Sequence, residues 1–370
     1  MSQPFDLVVF SHLRWDFVWQ RPQQLISRLA PHWNTLFVEE PLPVRASTVS
    51  TRLERLGPVT RLRAEVPGVP LTPMGFDAAV KFDHVEAVLA ANGGVSPRMV
   101  WLYTPIALPF AEALDPEVIV YDVMDDLAAF RHASPLLKLR QALALHEADV
   151  VFTGGRSLHK AVVRQRRGEA TLFPSGIDVE HYLPARAARV PHRPAVAGYV
   201  GVIDERLDLE LLAGLADALP DWRIEMVGPV AKVEAAALPQ RPNISYLGAR
   251  SYSELPAVMA GFDVALMPFA LNEATRSISP TKTLEYLAAG LPVVSTRVPD
   301  VVSDVGDLVA LADDAGEFAQ ACRHLARVGH EVDDPRIHAL LERQRWDGIA
   351  ERMRSLIESA SEAASSSVSA

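Results

Sequence analysis

The chain has 370 residues, 49% of them hydrophobic and 22% charged, which is enough for more than one core, so two domains are the natural expectation. A formal net charge of −10 argues against nucleic acid as a partner, and a single cysteine excludes an internal disulfide. The charge is uneven: residues 1–175 hold 18 basic and 18 acidic side chains, so the remainder carries the whole excess.

The opening stretch, MSQPFDLVVFSH, lacks the basic and long apolar regions of a signal peptide and reads as a first strand. No apolar run approaches the roughly 18 residues of a membrane span. With one cysteine, these features point to the cytoplasm. DLVVF, TLFVEE, RMVWLY, VIVYDV and DVVFTG read as buried parallel strands, with RPQQLISRLA and SPLLKLRQALALHEA as helices between them. Two basic clusters interrupt this half: RLERLGPVTRLR, and KAVVRQRRG with Lys160, Arg164, Arg166 and Arg167. They read either as solvated surface or as a docking face for an anionic membrane or a lipid-linked substrate.

In FPSGIDVEHYLPARAARVPHRP prolines gather and periodicity fades, which marks a seam. AVAGYVGVI, DWRIEMVG, NISYLG, DVALMPF, PVVST and DLVALA then repeat the strand–helix alternation. Cys322, within FAQACRHLARV, reads as a small core residue. The last helical pattern is IHALLERQRWDGIAERMRSLIESA, and the small polar SEAASSSVSA reads as disordered. The expected organisation is a domain over 1–175, a linker over 176–194, a domain over 195–340, a terminal helix over 341–360 and a tail over 361–370.

SISPTKTLEYLAAGLPVVST, residues 277–296, carries the clearest chemistry. Ser279 suits an N-cap and Pro280 the first helical position, while Gly290 and Pro292 end the helix. Leu284, Leu287, Ala288 and Leu291 repeat on one face, which must be core; Thr281, Lys282 and Glu285 share the other. A cation in the first turn of a helix is unfavourable by itself, but an anion held by the free N–H groups there makes it welcome. A lysine for a diphosphate and a glutamate for a ribose diol would clamp a nucleotide. The alternative is an exposed helix with a Lys–Glu pair worth about 0.2–0.5 kcal/mol.

SPTKTLEYLAAGLPVVST resembles the donor-site signature of GT-B glycosyltransferases, close to the family 4 group. WDFVWQRPQQLISRLA, VYDVMDDLAAF, VFTGGRSL, FPSGIDVEHY, GYVGVIDERLDLELL and SYSELPAVMAGFDVALMPF follow in the order of a bacterial branch of that group. The resemblance implies an α/β fold of two doubly wound Rossmann-like domains facing a central cleft. The N-terminal domain would take the acceptor and the C-terminal one the nucleotide sugar, with the last helix crossing back to the N-terminal domain. It assigns ribose to Glu285 and phosphate to Lys282 and Ser279, and Thr281, on the same helix face as Lys282, joins the donor-binding set. Gly201 and Arg206 fall at a glycine turn and phosphate-binding cation, and Tyr252 near the base.

Two departures stand out. Ser277 replaces a second, sugar-contacting glutamate, the nearest acid upstream being Glu273. A usual Arg–Lys pair is reduced to Arg206, followed by Asp208. On the acceptor side, His12, Asp16, Arg21 and Asp126 are the binding candidates. Asp16 would orient or deprotonate the acceptor hydroxyl, or else Asp16 or His12 caps the next helix. One of Asp125 and Asp126 would face the sugar or acceptor and the other cap a helix.

Asp16, Asp125, Arg206 and Lys282 form the expected catalytic set, without a metal or a cofactor beyond the nucleotide-sugar co-substrate. The expected reaction moves a sugar, with retention, from a UDP- or GDP-type donor to a hydroxyl of a saccharide or lipid-linked acceptor. It would serve polysaccharide or glycolipid synthesis, in the cytoplasm or at the inner face of its membrane. A GT-B nucleotide-sugar epimerase and a non-catalytic sugar-nucleotide-binding subunit are the rival readings.

Overall fold

The computed structural model describes residues 3–45, 47–68, 76, 82–129, 133–328 and 334–368. The chain forms two compact units. Unit 1 comprises Met1–Gly154, Leu158–Phe173 and Trp346–Ala370; unit 2 comprises Gly155–Ser157 and Pro174–Arg345.

Unit 1 begins with β1 (Leu7–Ser11), α1 (Arg21–Leu29), β2 (Thr35–Glu39), β3 (Leu42–Val44), β4 (Ser50–Leu56) and β5 (Val59–Pro67). It continues through α2 (His84–Ala91), β6 (Met99–Leu102), α3 (Leu108–Ala113), β7 (Val118–Val123), α4 (Pro135–Glu147), β8 (Val150–Thr153), α5 (Arg156–Gln165) and β9 (Thr171–Leu172). The sheet runs β3-β5-β2-β1-β6-β7-β8-β9, all parallel, with β4 added antiparallel to β5. Side-chain alternation sends Val8 and Phe10 of β1 into one core and Leu7 and Val9 into another on the opposite face. Both faces are therefore covered, as the unbroken apolar strands require.

RLERLGPVTRLR is solvated along β4, where Arg52 and Arg55 are exposed, but not throughout. It is the β4–β5 hairpin, turning at Gly57 with φ +57°, and Arg61 points inward with only 3% of its surface exposed. In KAVVRQRRG, Arg166 also departs from the surface reading. Its guanidinium donates to the carbonyls of Leu145, Ala148, Asp149 and Glu169, closing the end of α4, while Lys160, Arg164 and Arg167 remain exposed.

Unit 2 contains α6 (Val179–Ala188), β10 (Val196–Val200), α7 (Leu209–Ala218), β11 (Arg223–Val227), β12 (Ile244–Gly248), α8 (Leu255–Ala260) and β13 (Val264–Met267). Then come α9 (Glu273–Arg276), α10 (Thr281–Ala288), β14 (Val293–Ser295), α11 (Pro299–Val305), β15 (Ala310–Leu311), α12 (Ala315–Val328) and α13 (Pro335–Arg343). The parallel order β12-β11-β10-β13-β14-β15 is the Rossmann order, whose direction reverses between β10 and β13. Cys322 is fully buried in this core, and burial pushes its thiol up to about 12. The expected linker over 176–194 is instead part of unit 2. Asp178 caps α6 there, and Val179, Tyr182 and Ala185 anchor it despite Pro184.

The last helix, α14 (Trp346–Val368), belongs to unit 1 and packs on α1 through Trp346, Ile349, Ala350, Met353 and Ile357. It does not stop at residue 360. Ser361 is buried and joins Arg98 and Glu117 by hydrogen bonds, so the small polar sequence stays helical through Val368.

Candidate functional site

The donor-side candidates of unit 2 gather at the carboxyl ends of β10 and β11, beside the start of α10. β10 ends at Val200, and Gly201 follows with φ +147°. That conformation belongs to glycine. A Cβ at Gly201 would lie 1.9 Å from Lys282 Cε and 2.6 Å from its Nζ, so the lysine side chain runs directly over the bare Cα. Gly228, just past β11, has φ +148°, and a Cβ there would meet the Gly201 carbonyl at 1.9 Å. Two bare glycines thus let two strand ends and a lysine close up. Lys282 Nζ also lies 5.9 Å from the centre of the Tyr199 ring.

α10 begins one residue later than its sequence suggests. Pro280, not Ser279, holds the cap position in an extended conformation, and no side chain caps the helix. Proline fixes the entry but offers no side-chain acceptor, so the first-turn N–H groups keep their positive end for another partner. Ser279 is turned away from capping; its carbonyl accepts the Ser175 hydroxyl at 3.0 Å. Thr281 and Lys282 open the helix, half-buried, and Glu285 lies one turn on. The apolar face is buried as expected, and Gly290 takes φ +71° behind it.

Tyr286 ties the helix to the strand. Its hydroxyl accepts the Val200 N–H at 2.8 Å, so α10 and the end of β10 hold a fixed register. Glu285 sits beside Lys282 and Tyr182. Burial raises its carboxyl above the usual range, while Lys282 and the Tyr182 hydroxyl oppose that rise. Tyr252 stacks on His181 with ring centres 3.8 Å apart and planes 5° apart, and His181 Nε2 contacts the Tyr252 carbonyl oxygen at 2.9 Å. Arg206 is held by Asp204 through Nε and Nη2, and Asp208 caps α7. Asp204 is 4% exposed, so the guanidinium is aimed by a buried carboxylate. Lys282, Glu285 and Gly201 are brought together, and Tyr182 links Glu285 to Tyr252 through an edge contact of 6.3 Å. Glu273 caps nothing and lies exposed on α9, and Ser277 follows that helix, half-buried.

Several of these partners were missed in the sequence. Gly228 carried a signal, because EMVG repeats the strand-then-glycine pattern of GYVG. Asp204, His181, Tyr182 and Tyr286 carried none, since their roles come from packing between elements distant in the chain.

In unit 1 the candidates take different roles. Arg21 does not await an acceptor. Its Nε and Nη2 donate to Asp122 at 2.8 Å each, and Nη1 donates to the Phe173 carbonyl at 2.8 Å. Both partners are buried, at 5% and 0% exposure. The sequence placed this arginine at a helix start; the fold supplies the carboxylate that makes it tolerable there.

Asp16 is neither a helix cap nor unattached. It accepts Arg61 Nη1 at 2.5 Å while 62% of its side chain is exposed. Arg61 also reaches Glu39 and Glu54. The start of α1 is served instead by Gln23, whose side chain accepts the Gln20 N–H. His12 is half-buried in the loop after β1. Asp125 and Asp126 follow β7, both half-buried, with Asp126 accepting Gln141 Nε2 at 3.3 Å.

Residues 195–327 match the family model described as Glycosyl transferases group 1. TuaH of Bacillus subtilis (strain 168), named for a glycosyltransferase role in teichuronic acid biosynthesis, is 28% identical over 233 residues, covering 57% of each protein. The chain therefore spans a little over half the length of that relative. Among solved structures, sucrose-phosphate synthase from Thermosynechococcus elongatus superposes with a TM-score of 0.72 at 16% identity, over 98% of this chain and all of that one. Anabaena HepE in complex with UDP and glucose gives 0.68 at 14% identity, over 96% of this chain and all of that one. At such identities the structures speak for the fold alone. The chain has the GT-B fold, and its residues 195–327 resemble glycosyl transferases group 1.

Proposed function

We propose that the protein is a glycosyltransferase that moves a sugar from a UDP- or GDP-type donor to a hydroxyl of a saccharide or lipid-linked acceptor. The observation that carries this reading is Lys282 lying over the bare Cα of Gly201, one turn before Glu285, at a helix start that no side chain caps. Lys282, Thr281 and the first-turn N–H groups would hold the diphosphate, with Arg206 as a second cation. Glu285 would take the ribose and the Tyr252 region the base. A UDP-type donor is supported by the structural neighbour HepE, which was solved with UDP and glucose. TuaH's naming supports a cell-envelope polysaccharide as product.

In the reaction the bond from the anomeric carbon to the diphosphate oxygen breaks as the acceptor oxygen bonds to that carbon. Negative charge gathers on the leaving diphosphate, where preorganised cations and N–H groups are most effective. With Lys282 and Arg206 in that place, no metal ion is required. Asp16, steadied by Arg61, would orient the acceptor hydroxyl or take its proton, and Asp125 would face the sugar. Retention remains the proposed outcome. Among the described residues no helix is long and apolar enough to cross a membrane. A cytoplasmic site of action, with the exposed Lys160, Arg164 and Arg167 meeting an anionic membrane surface, completes the proposal. Salt-sensitive flotation with anionic liposomes checks that last element, and absence of binding at low salt removes it.

Lys282→Ala should lower kcat about 10²-fold or more, the scale of losing one charge-stabilising donor. Glu285→Gln should mainly weaken nucleoside diphosphate binding, by roughly 1–3 kcal/mol. Steady-state kinetics and calorimetry on both variants test the reading, and wild-type behaviour in both overturns it. Ser277, standing where relatives of this kind have a sugar-contacting glutamate, favours a second reading in which the protein binds the sugar nucleotide without transferring it. Donor turnover with and without acceptor, scored for transfer, epimerisation or neither, separates the possibilities.

A further inference from the structure

Three buried tyrosines surround Glu285: Tyr182 from α6, Tyr199 from β10 and Tyr286 from α10. Two have committed hydroxyls. Tyr199 donates to the Val202 carbonyl at 2.9 Å, and Tyr286 accepts the Val200 N–H. Tyr182 differs. It is fully buried, yet its hydroxyl meets no partner at hydrogen-bonding geometry among the described residues. A buried phenol in that state is costly to the fold and calls for a reason. The acceptor it faces is the Glu285 carboxylate. α6 packs against α10, and the Tyr182 ring is wedged edge-on against His181 at 4.8 Å and Tyr252 at 6.3 Å, so the hydroxyl has a defined direction.

We propose that Tyr182 is a positioning residue for Glu285: its hydroxyl closes onto one carboxylate oxygen when a nucleotide binds and presents the carboxylate to both ribose hydroxyls. The inference rests on the donor-site reading and deepens it. A carboxylate accepting a vicinal diol must stay ionised while the nucleotide strips it of water. Lys282 supplies charge from one side, but it is also needed at the phosphate. A second donor that the nucleotide does not use is what Tyr182 offers. The shift of Glu285 agrees, since burial drives its carboxyl up and the Tyr182 hydroxyl works against that.

The test is calorimetric titration of the full chain with UDP and GDP, each against its 2′,3′-dideoxy form. Wild type, Tyr182→Phe and Glu285→Gln are compared, with melting curves as the folding control. The wild type should prefer the ribose form, and Tyr182→Phe should weaken binding of that form by about tenfold, the scale of one charge-assisted hydrogen bond. Its affinity for the dideoxy form should not change, and Glu285→Gln should show the same selectivity. A merely structural tyrosine would weaken both forms alike, and that result, or no loss at all, overturns the inference. If the wild type binds both forms equally, Glu285 does not read the diol and the inference falls with it. If the wild type binds neither nucleotide in either form, the donor-site reading itself fails.

Discussion

Gly201→Ala tests the donor site without replacing a charged group. The added methyl would lie 1.9 Å from Lys282 Cε, where ordinary carbon contacts are about 3.5–4.0 Å. The lysine side chain must swing aside by about 2 Å. If its ammonium then stands ~5 Å rather than ~3 Å from a phosphate oxygen, the attraction at an effective dielectric of ~20 falls from ~5.5 to ~3.3 kcal/mol. A loss of ~2.2 kcal/mol corresponds to roughly 40-fold in UDP affinity or in kcat/KM. The alanine must also adopt φ +147°, which costs of order 1–3 kcal/mol of stability.

Gly228→Ala serves as the contrast. Its methyl would meet the Gly201 carbonyl, which is backbone and cannot swing away, so instability rather than selective loss of binding is expected there. Calorimetry with UDP, steady-state kinetics and urea unfolding on both variants give the comparison. If Gly201→Ala binds UDP like the wild type while remaining folded, Lys282 does not serve the phosphate. If Gly228→Ala is as stable as the wild type, the close approach of the two strand ends is wrong.

Activity should survive excess EDTA if, as proposed, Lys282 and Arg206 neutralise the leaving diphosphate in place of a metal; complete loss restored by Mg²⁺ refutes this. Asp122→Ala should destabilise by about 3–5 kcal/mol, because it strands the buried Arg21 charge, whereas Arg21→Met with Asp122→Leu should cost much less than the two single changes together. Urea unfolding measures all four proteins, and strict additivity contradicts the buried pair. His84, 2% exposed and stacked on Phe110, has its ring pushed down to about 4 by burial. Because the unfolded histidine titrates near 6.5, the unfolded chain binds the extra proton first as pH falls. The stability this group contributes is thus complete above about pH 6.5 and lost as pH falls towards 4, by about 2.5 kcal/mol at pH 4.5. His84→Phe should flatten that part of the urea-midpoint profile, and an unchanged slope would show that another group governs it.

The sequence disclosed what depends on local order and concealed what depends on meeting across the fold. Strand–helix alternation and the spacing of Lys282 and Glu285 are local properties, and both read correctly into elements. So does the glycine after β10, because a strand end that must turn under a lysine tolerates no side chain. The start of α10 shifted by one residue since Pro280 can occupy the cap as easily as the first turn, and neighbouring residues do not decide between them. Basic residues misled more seriously. Arg21, Arg61 and Arg166 look like solvent or ligand contacts in the sequence, yet each is a tether. Their acceptors are Asp122 with the Phe173 carbonyl, the Asp16–Glu39–Glu54 group and a set of backbone carbonyls around the end of α4, from 3 to 152 residues away in the chain.

A charge that closes a tertiary contact has the same sequence signature as one that waits for a ligand; only burial and the identity of the acceptor tell them apart. The distinction bears directly on the donor site. Arg206 is tethered too, by Asp204, but it remains half-buried rather than sealed, so a phosphate could still share it. Lys282 lies against glycine and an aromatic ring, with the Glu285 carboxylate beside it. Both cations thus stand beside a carboxylate, and a diphosphate at Lys282 is proposed from its place in the first turn of α10, whose N–H groups no side chain caps.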